Sequence, residues 1–361
     1  MSDPVNEVTF LDGGEGDGED APVEATHIEA AAPVEPRPAA EGSRDGTVAG
    51  WSRRVTAEIN KVFIGQDRLV RGVLAALLAG GHVLVESVPG LGKTLLVRAF
   101  GRALGCDFNR IQFTPDLMPS DVTGSPIYDE RIHDFRFRPG PVFTQLLLAD
   151  EINRAPAKTH AALLEIMQES RVTVDGTDHR IEPPFLVMAT QNPIESEGTY
   201  NLPEAQLDRF LFKLVASYPG EKDEIEILRM HTRDTPPDRD LGAQLAPVTS
   251  PAEVIAMQGR AARVLADDHV LGYITALVRA TRKWPAFAMG VSPRAGVAML
   301  KGARAIAALE GRDYTVPDDV QEVVLPALRH RVVLTPEAEV EGRSPDELLS
   351  ELVRSVEVPI R

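Results

Sequence analysis

The chain has 361 residues and a formal net charge of −16, and 43% of its residues are hydrophobic. Residues 1–46 hold 12 acidic residues against two arginines and so carry −10 of that charge, which leaves the remainder only mildly acidic. This balance argues against a duplex-DNA coat, because binding along phosphates needs a clustered basic face.

Cys106 is the only cysteine, which excludes an intrachain disulfide and fits a reducing compartment. The eight histidines show no metal-binding spacing, so we expect no dedicated protein metal cluster. The chain contains no run of 18 apolar residues, so no membrane span is predicted, and its N-terminus lacks the basic and apolar regions of a secretory signal. We therefore expect a cytoplasmic protein without membrane insertion.

Residues 1–46 are rich in Gly, Pro, Ala and acidic residues, and they have little apolar surface to bury. Such a segment cannot offset the entropy lost on ordering, so we predict a disordered acidic tail. A solubilising role is the simpler interpretation, and docking of a partner is the alternative.

The ordered part is predicted to begin near Trp51, and the first helices are expected over 51–62, 68–79 and 94–104. A short apolar strand over 82–86 precedes a glycine-rich loop. Further apolar strands, separated by helical segments, are predicted over 108–113, 145–149, 185–190 and 211–216. Apolar strands that alternate with helices indicate a five-stranded parallel sheet that is covered on both faces.

Two hairpins interrupt this alternation. Residues 126–138 alternate apolar and charged side chains, and residues 172–181 contain the Asp175-Gly176 pair, which suits a tight turn.

The second half of the chain has helical spacing throughout. Helices are predicted over 221–232, 251–265, 270–283, 293–310, 317–329 and 344–354. We therefore predict an α/β core over 47–219, an all-α domain over 220–340, and a C-terminal helix and tail over 341–361.

The loop after the first strand has the pattern of a phosphate-binding loop. Its backbone amides can wrap phosphates, Lys93 can place a charge between the β- and γ-phosphates, and the Thr94 hydroxyl can ligate Mg²⁺. The first position, usually glycine, is Ser87, which leaves the loop geometry and turnover rate open. The predicted ATP-binding residues of the loop are Val88, Pro89, Gly90, Leu91, Gly92, Lys93, Thr94 and Leu95.

Polar side chains follow two later strands. Asp150 and Glu151 end the apolar run that begins at Leu146, which is a Walker-B arrangement, and Asn192 ends the next apolar run. We expect Asp150 to hold a water of Mg²⁺ and Glu151 to orient the attacking water. Asn192 can contact the γ-phosphate or that water, although an isolated Asn before Pro is more often a turn residue.

Two arginines are further candidates. Arg209 lies at a helix end, where a surface salt bridge is the simpler interpretation. Arg294 lies in a first helical turn that Ser292 is expected to cap, with Pro293 at the first position. A positive charge there opposes the helix dipole, which an external anion would compensate.

Taken together, the phosphate-binding loop, the polar residues that follow the strands and the two arginines resemble those of the AAA+ ATPases, and more narrowly those of the MoxR family. The similarity spans residues 64 to about 330 and is strongest over 112–124, 137–143, 148–155 and 202–210. It implies a P-loop core with a helical lid, in which Asn192 is the first sensor and Arg294 the second. It also implies that Arg209 reaches the γ-phosphate of a neighbouring subunit, and that the adenine lies beside Ile64, Gly65 and Gln66.

The same resemblance implies a ring, commonly a hexamer, in which the hairpins at 126–138 and 172–181 face a central pore. It further implies a partner with a von Willebrand factor A domain. We therefore expect an Mg²⁺-dependent ATPase that remodels client proteins, whose identity the sequence does not indicate. The alternatives are a nucleotide-gated scaffold with negligible turnover and a DNA-linked motor, although the hairpin at 172–181 is not conspicuously basic.

Overall fold

The computed structural model describes residues 46–88, 90–131, 133–192, 200, 202–232 and 241–359. Almost all of the tail predicted over 1–46 lies outside the described residues, and so does Pro89 of the predicted loop.

A parallel sheet of five strands lies at the centre of the N-terminal half. The strands are β1 (Val83–Glu86), β2 (Phe108–Gln112), β5 (Leu146–Asp150), β8 (Leu186–Gln191) and β9 (Phe212–Val215). Their order in the sheet is β2-β5-β8-β1-β9. The prediction of this sheet is confirmed, and each strand begins and ends within one residue of its predicted bounds.

Strand β5 shows why the sheet is buried on both faces. Its side chains alternate between faces, so Leu146 and Leu148 join one apolar cluster while Leu147 and Ala149 join another. Each fully buried leucine stabilises the fold by roughly 1.5–3 kcal/mol relative to an exposed one. Packing on both faces therefore fixes the register, and with it the position of Asp150 at the end of the strand.

The helices of the core cover both faces of this sheet. The first begins at Val48 rather than near Trp51, because the Thr47 hydroxyl accepts a hydrogen bond from the Gly50 amide at 3.0 Å and caps it. A single 3-10 turn spans Ile152–Arg154. The core helices are α1 (Val48–Ile59), α2 (Asp67–Leu78), α3 (Lys93–Leu104), α4 (Pro119–Thr123), α5 (Ala157–Glu169) and α6 (Glu204–Leu207).

Both predicted hairpins are present: β3 (Gly124–Asp129) with β4 (Asp134–Pro139), and β6 (Arg171–Val174) with β7 (Thr177–Arg180). In the second hairpin Asp175 and Gly176 both have positive φ, at 48° and 77°, as the tight turn requires. The rings of Phe137 and His179 stack with centroids 4.0 Å apart, so the two hairpins touch each other.

Within the described residues, the C-terminal half is helical as predicted, and its helices are accompanied by a short antiparallel pair that was not predicted, β10 (Phe287–Met289) with β11 (Val333–Leu334). Gly302 faces the ring of Phe212, where an added Cβ would lie 2.6 Å from the ring, so this half packs directly on the sheet. Its helices are α7 (Glu221–His231), α8 (Leu241–Gln244), α9 (Pro251–Ala262), α10 (Asp268–Thr281), α11 (Pro293–Leu309), α12 (Pro317–Leu328), α13 (Pro336–Val340) and α14 (Pro345–Ser355).

Contacts do not separate the described residues at the predicted boundary near 219, because they belong to one compact unit. The division into core and lid at that position therefore stays a prediction. Cys106 is buried, as expected for a small apolar side chain. Within the described part of the chain, none of the helices has both the length and the apolar character to span a membrane.

Candidate functional site

The loop between β1 and α3 has the backbone geometry that phosphate binding requires. Gly90 and Gly92 have φ of 86° and 72°, a region that side chains disfavour, so glycine is needed at both positions. The amides that begin α3 carry the positive end of a 12-residue helix. Lys93 Nζ lies 3.5 Å from the Ser87 carbonyl oxygen, so the lysine folds back over its own loop.

Ser87 fits the position that glycine usually occupies. It is not among the described residues with a positive φ, so its side chain imposes no backbone strain. It is 1% exposed, and its amide donates to the Gln191 carbonyl oxygen at 3.3 Å. The loop therefore begins from a residue that is fixed to the neighbouring strand β8.

A cleft of about 600 Å³ lies beside this loop. Its lining includes six of the predicted residues: Ile64, Gln66, Gly90, Leu91, Gly92 and Leu95. Sequence reasoning missed other residues that line the cleft, among them Phe63, Tyr218, Pro219, Ile227, Leu228 and His231. Tyr218 and Leu228 are each 69% exposed, which leaves an apolar wall open towards the cleft.

Gly65 and Gln66 shape this cleft from behind. Gly65 has a φ of 77°, and an added Cβ would lie 2.8 Å from the Asp223 Cβ, so glycine allows the first turn of α7 to approach. The Gln66 side-chain amide donates to the Ser217 carbonyl oxygen, which ties the start of α2 to the segment after β9. These contacts hold helix α7 as one wall of the cleft.

Thr190 joins Asp150 and Glu151 at the carboxyl end of the sheet, and its role was not predicted. Its hydroxyl donates to Asp150 Oδ1 at 2.5 Å and accepts from the Glu151 amide at 2.9 Å. Glu151 has φ 54° and ψ 50°, a left-handed conformation that is uncommon for a residue other than glycine. The Thr190 hydrogen bond therefore helps to hold a strained backbone at the predicted catalytic carboxylate.

Both carboxylates also face arginines. Arg110 Nη2 lies 2.7 Å from Asp150 Oδ2, and Arg154 Nε lies 2.9 Å from Glu151 Oε2. Asp150 therefore has one oxygen on Thr190 and the other on Arg110. Neither arginine belongs to a motif that identifies it from the sequence.

Asn192 directly follows β8 and is buried, at 7% exposure. The preceding residue, Gln191, donates its side-chain amide to Glu86 Oε2 at 2.9 Å, and Lys213 Nζ lies 2.5 Å from the same oxygen. Burial alone would raise the pKa of Glu86, but Lys213 and Gln191 outweigh it and lower that pKa below its ordinary value. Side chains of β8, β1 and β9 are thus joined through one ionised carboxylate.

Asp208 lies between two arginines of the C-terminal half. Arg331 Nε lies 2.6 Å from Asp208 Oδ1, and Arg294 Nε lies 3.9 Å from Oδ2. Arg331 is buried, and it also donates to the carbonyl oxygens of Asp208 and Phe210 at 3.0 and 2.7 Å. The segment that carries Arg209 is therefore fixed to the helical half, while Arg209 itself is half-buried.

The expectation that Ser292 caps helix α11 is wrong in one respect. Ser292 occupies the N-cap position and Pro293 follows it, but the Ser292 side chain makes no capping hydrogen bond. Arg294 is 50% exposed in the first turn, and its nearby counter-charge is Asp208 of the core.

The oxygen donors at this site fit Mg²⁺, which prefers carboxylate, hydroxyl, phosphate and water oxygens. Asp150 ends β5 and Thr94 is the second residue of α3, so one carboxylate and one hydroxyl are supplied by rigid elements. Among the described residues no group of three or more His, Cys, Asp and Glu side chains could hold a metal ion. The ion would therefore depend on nucleotide phosphates and water for its remaining ligands.

Two family models match the chain. The model described as the ATPase family associated with various cellular activities (AAA) matches residues 82–212, and the AAA lid domain matches residues 279–352.

Curated relatives and one solved structure extend this similarity over most of the chain. The uncharacterised protein YeaC of Bacillus subtilis is 47% identical over 308 residues, which cover 85% of this chain and 95% of YeaC. The chaperone MoxR1 of Mycobacterium tuberculosis is 45% identical over 318 residues, which cover 85% of this chain and 82% of MoxR1. A crystal structure described as a candidate ATPase from Cytophaga hutchinsonii is 38% identical, with a TM-score of 0.80, and the match covers 87% of this chain and 96% of that one.

Proposed function

Because the chain belongs to the MoxR family of AAA+ ATPases, we propose that its ATP hydrolysis drives the remodelling of client proteins by a ring of subunits. A relative at 45% identity is named a chaperone, which supports this role.

Within one subunit, we assign ATP to the loop and the cleft beside it. The adenine would lie against the wall formed by Phe63 and α7, and the phosphates against the amides of the loop and Lys93. Thr94 and Asp150 would hold Mg²⁺, which when bound neutralises charge on the β- and γ-phosphates. This assignment uses an apolar cleft and a helix N-terminus that lie side by side.

The observation that carries hydrolysis, rather than binding alone, is the Thr190 contact. A protein that only binds ATP has no need for Glu151 in a strained conformation, fixed through Thr190 to the neighbouring strand. We propose that Glu151 polarises the attacking water and that Asn192 holds the γ-phosphate or that water. Arg154 pairs with Glu151, so Glu151 would exchange this partner for water.

The neighbouring subunit would complete the site with Arg209. The preceding residue, Asp208, is anchored by the buried Arg331, so Arg209 projects from a fixed segment rather than a free loop. An arginine supplied in this way can raise turnover by roughly 10³–10⁵. We therefore propose a ring, with a hexamer as the expected form, whose core spans 47–219 and whose lid spans 220–340.

The hairpins β3-β4 and β6-β7 are the proposed contacts to a client in the pore, and Arg294 is the proposed sensor in the lid. A partner with a von Willebrand factor A domain is proposed from the family alone. The DNA-linked alternative is weakened because Arg171, at the base of the second hairpin, is paired with Glu169 and Asp178. The scaffold alternative rested on Ser87, whose φ imposes no strain at that position.

The test is phosphate release by the assembled protein, its Glu151→Gln and Arg209→Ala variants, and a mixture of the two variants. Each variant alone should retain ATP binding and lose at least about 100-fold in turnover, since removing one transition-state contact costs that much. In the mixture, a site with the intact Glu151 can meet the intact Arg209 of the other variant, so activity should partly return.

The matched control is Arg54→Ala, which removes a partly exposed ion pair with Glu253 at residues that do not line the cleft and should leave turnover unchanged. If the mixed ring assembles and stays inactive, the shared-site proposal is wrong. If Glu151→Gln turns over as fast as the wild type, the assignment of the catalytic carboxylate is wrong.

A further inference from the structure

The side chains of Thr190 and Arg110, which both contact Asp150, differ in burial. Thr190, on Oδ1, lies within the buried strand β8 and is fully buried. Arg110, on Oδ2 at 2.7 Å, lies on the edge strand β2 and its side chain is 45% exposed, whereas that of Asp150 is 10% exposed. The carboxylate is thus held on one side by a fixed hydroxyl and on the other by a long cationic side chain that reaches it from solvent.

Arg110 also has a second acceptor close at hand. Its Nη2 lies 2.9 Å from Gln112 Oε1, two residues along the same strand. The guanidinium can therefore leave Asp150 and keep a hydrogen bond, at little cost to a side chain that is nearly half in water. Thr190 has no such freedom, because its hydroxyl also accepts the Glu151 amide.

From this arrangement we propose that Arg110 is a counter-ion that competes with Mg²⁺ for Asp150, so that the metal binds only as Arg110 releases the carboxylate. A buried carboxylate without a cation is unfavourable, and Arg110 supplies that cation to Asp150 when Mg²⁺ does not. Mg²⁺ keeps several waters and reaches such a carboxylate largely through them. Waters of the ion would therefore compete with the Arg110 guanidinium for Asp150 Oδ2.

This inference rests on the proposed Mg²⁺-nucleotide site. It predicts that loss of Arg110 raises the affinity for the metal, whereas loss of a merely supporting residue would lower it. Removing a support loosens Asp150 and weakens metal binding. Removing a competitor strengthens metal binding and leaves metal-free nucleotide binding unchanged. The affinity for the metal, rather than the rate of hydrolysis, therefore separates the two roles.

The experiment titrates Mn²⁺ into the full-length chain saturated with ADP and follows free Mn²⁺ by electron paramagnetic resonance. The proteins are the wild type, Arg110→Gln, Arg110→Ala and the remote control Arg54→Gln. Both Arg110 variants should bind Mn²⁺ about fivefold more tightly, because a partly exposed ion pair is worth up to about 1 kcal/mol. Arg54→Gln should match the wild type, and all four should bind ADP equally in EDTA.

The outcomes distinguish this inference from the function on which it rests. If the wild type binds no Mn²⁺ in the presence of ADP, both the proposed metal site and the proposed competition by Arg110 are wrong. If the wild type binds Mn²⁺ but the Arg110 variants bind it equally or more weakly, the competition alone is overturned. Two variants are used so that a folding defect in one, checked by its thermal melt, leaves the other to decide.

Discussion

Replacing Thr190 with valine removes one hydroxyl and leaves a side chain of nearly the same shape. Two partners lose their contacts at once: Asp150 Oδ1, at 2.5 Å, and the Glu151 amide, at 2.9 Å. Both groups lie at the end of a buried strand, where water replaces a lost partner poorly. The variant therefore tests whether the hydroxyl holds the proposed catalytic carboxylates in place.

The magnitude follows from these two contacts. A buried donor or acceptor left without a partner costs about 1–3 kcal/mol, so with two such groups we expect Thr190→Val to lower the free energy of unfolding by about 2–6 kcal/mol. Without its hydrogen bond, the strained backbone of Glu151 should relax. A displacement of about 1 Å can cost roughly 100-fold in rate, so we expect that loss in kcat. Thr190 does not line the cleft, so ADP affinity should stay within about twofold.

Three measurements check this together: phosphate release, a denaturant melt and ADP binding. Thr190→Ser is the matched control, because it keeps the hydroxyl and loses only a methyl group, and it should retain most of the turnover. A Thr190→Val protein that is destabilised yet hydrolyses ATP at the wild-type rate would refute the reasoning. In that case the hydroxyl would stabilise the fold without positioning Glu151.

Two further predictions concern stability. Burial lowers the pKa of His82 to about 4, with Nδ1 accepting the Val187 amide and Nε2 donating to the Met167 carbonyl oxygen. In the unfolded chain this histidine takes up a proton below about pH 6.5, whereas in the folded chain it stays neutral. The free energy of unfolding should therefore fall as the pH drops, by about 2 kcal/mol at pH 5. Urea melts of His82→Gln should show a shallower dependence of that free energy on pH. Asp208→Asn leaves the buried Arg331 without its carboxylate, so we expect the free energy of unfolding to fall by about 2–3 kcal/mol in the same melts. An unchanged midpoint would show that the backbone carbonyl oxygens alone hold that arginine.

The sheet and the second hairpin were predictable from local patterns. Short apolar runs between glycines mark strands that are buried on both faces, and Asp175-Gly176 marks a turn with positive φ. The pair β10-β11 escaped prediction, because strands of three and two residues are too short to show a periodicity. The predicted start of α1 near Trp51 is too late, because the capping residue Thr47 directly follows the acidic tail.

At the site, the residues that end strands were predictable and their partners were not. Asp150, Glu151 and Asn192 each follow an apolar run, which is a local signal. Thr190 lies inside such a run, where threonine is an ordinary β-branched residue, and its role depends on the pairing of β8 with β5. Arg110 likewise depends on the pairing of β2 with β5, and the cleft wall from α7 depends on a close approach at Gly65. Such contacts join segments that are far apart in sequence, so no local pattern reports them.

Side-chain contacts link neighbouring strands of the sheet in two separate groups. The first group is Arg110–Asp150 and Asp150–Thr190, and the second is Gln191–Glu86 and Glu86–Lys213. Gln191 follows Thr190 directly on β8, so the two side chains point to opposite faces of the sheet and the groups stay apart. Arg110 and Thr190 share Asp150 as a partner, so mutating both should give a non-additive effect on stability, whereas mutations in different groups should give additive effects.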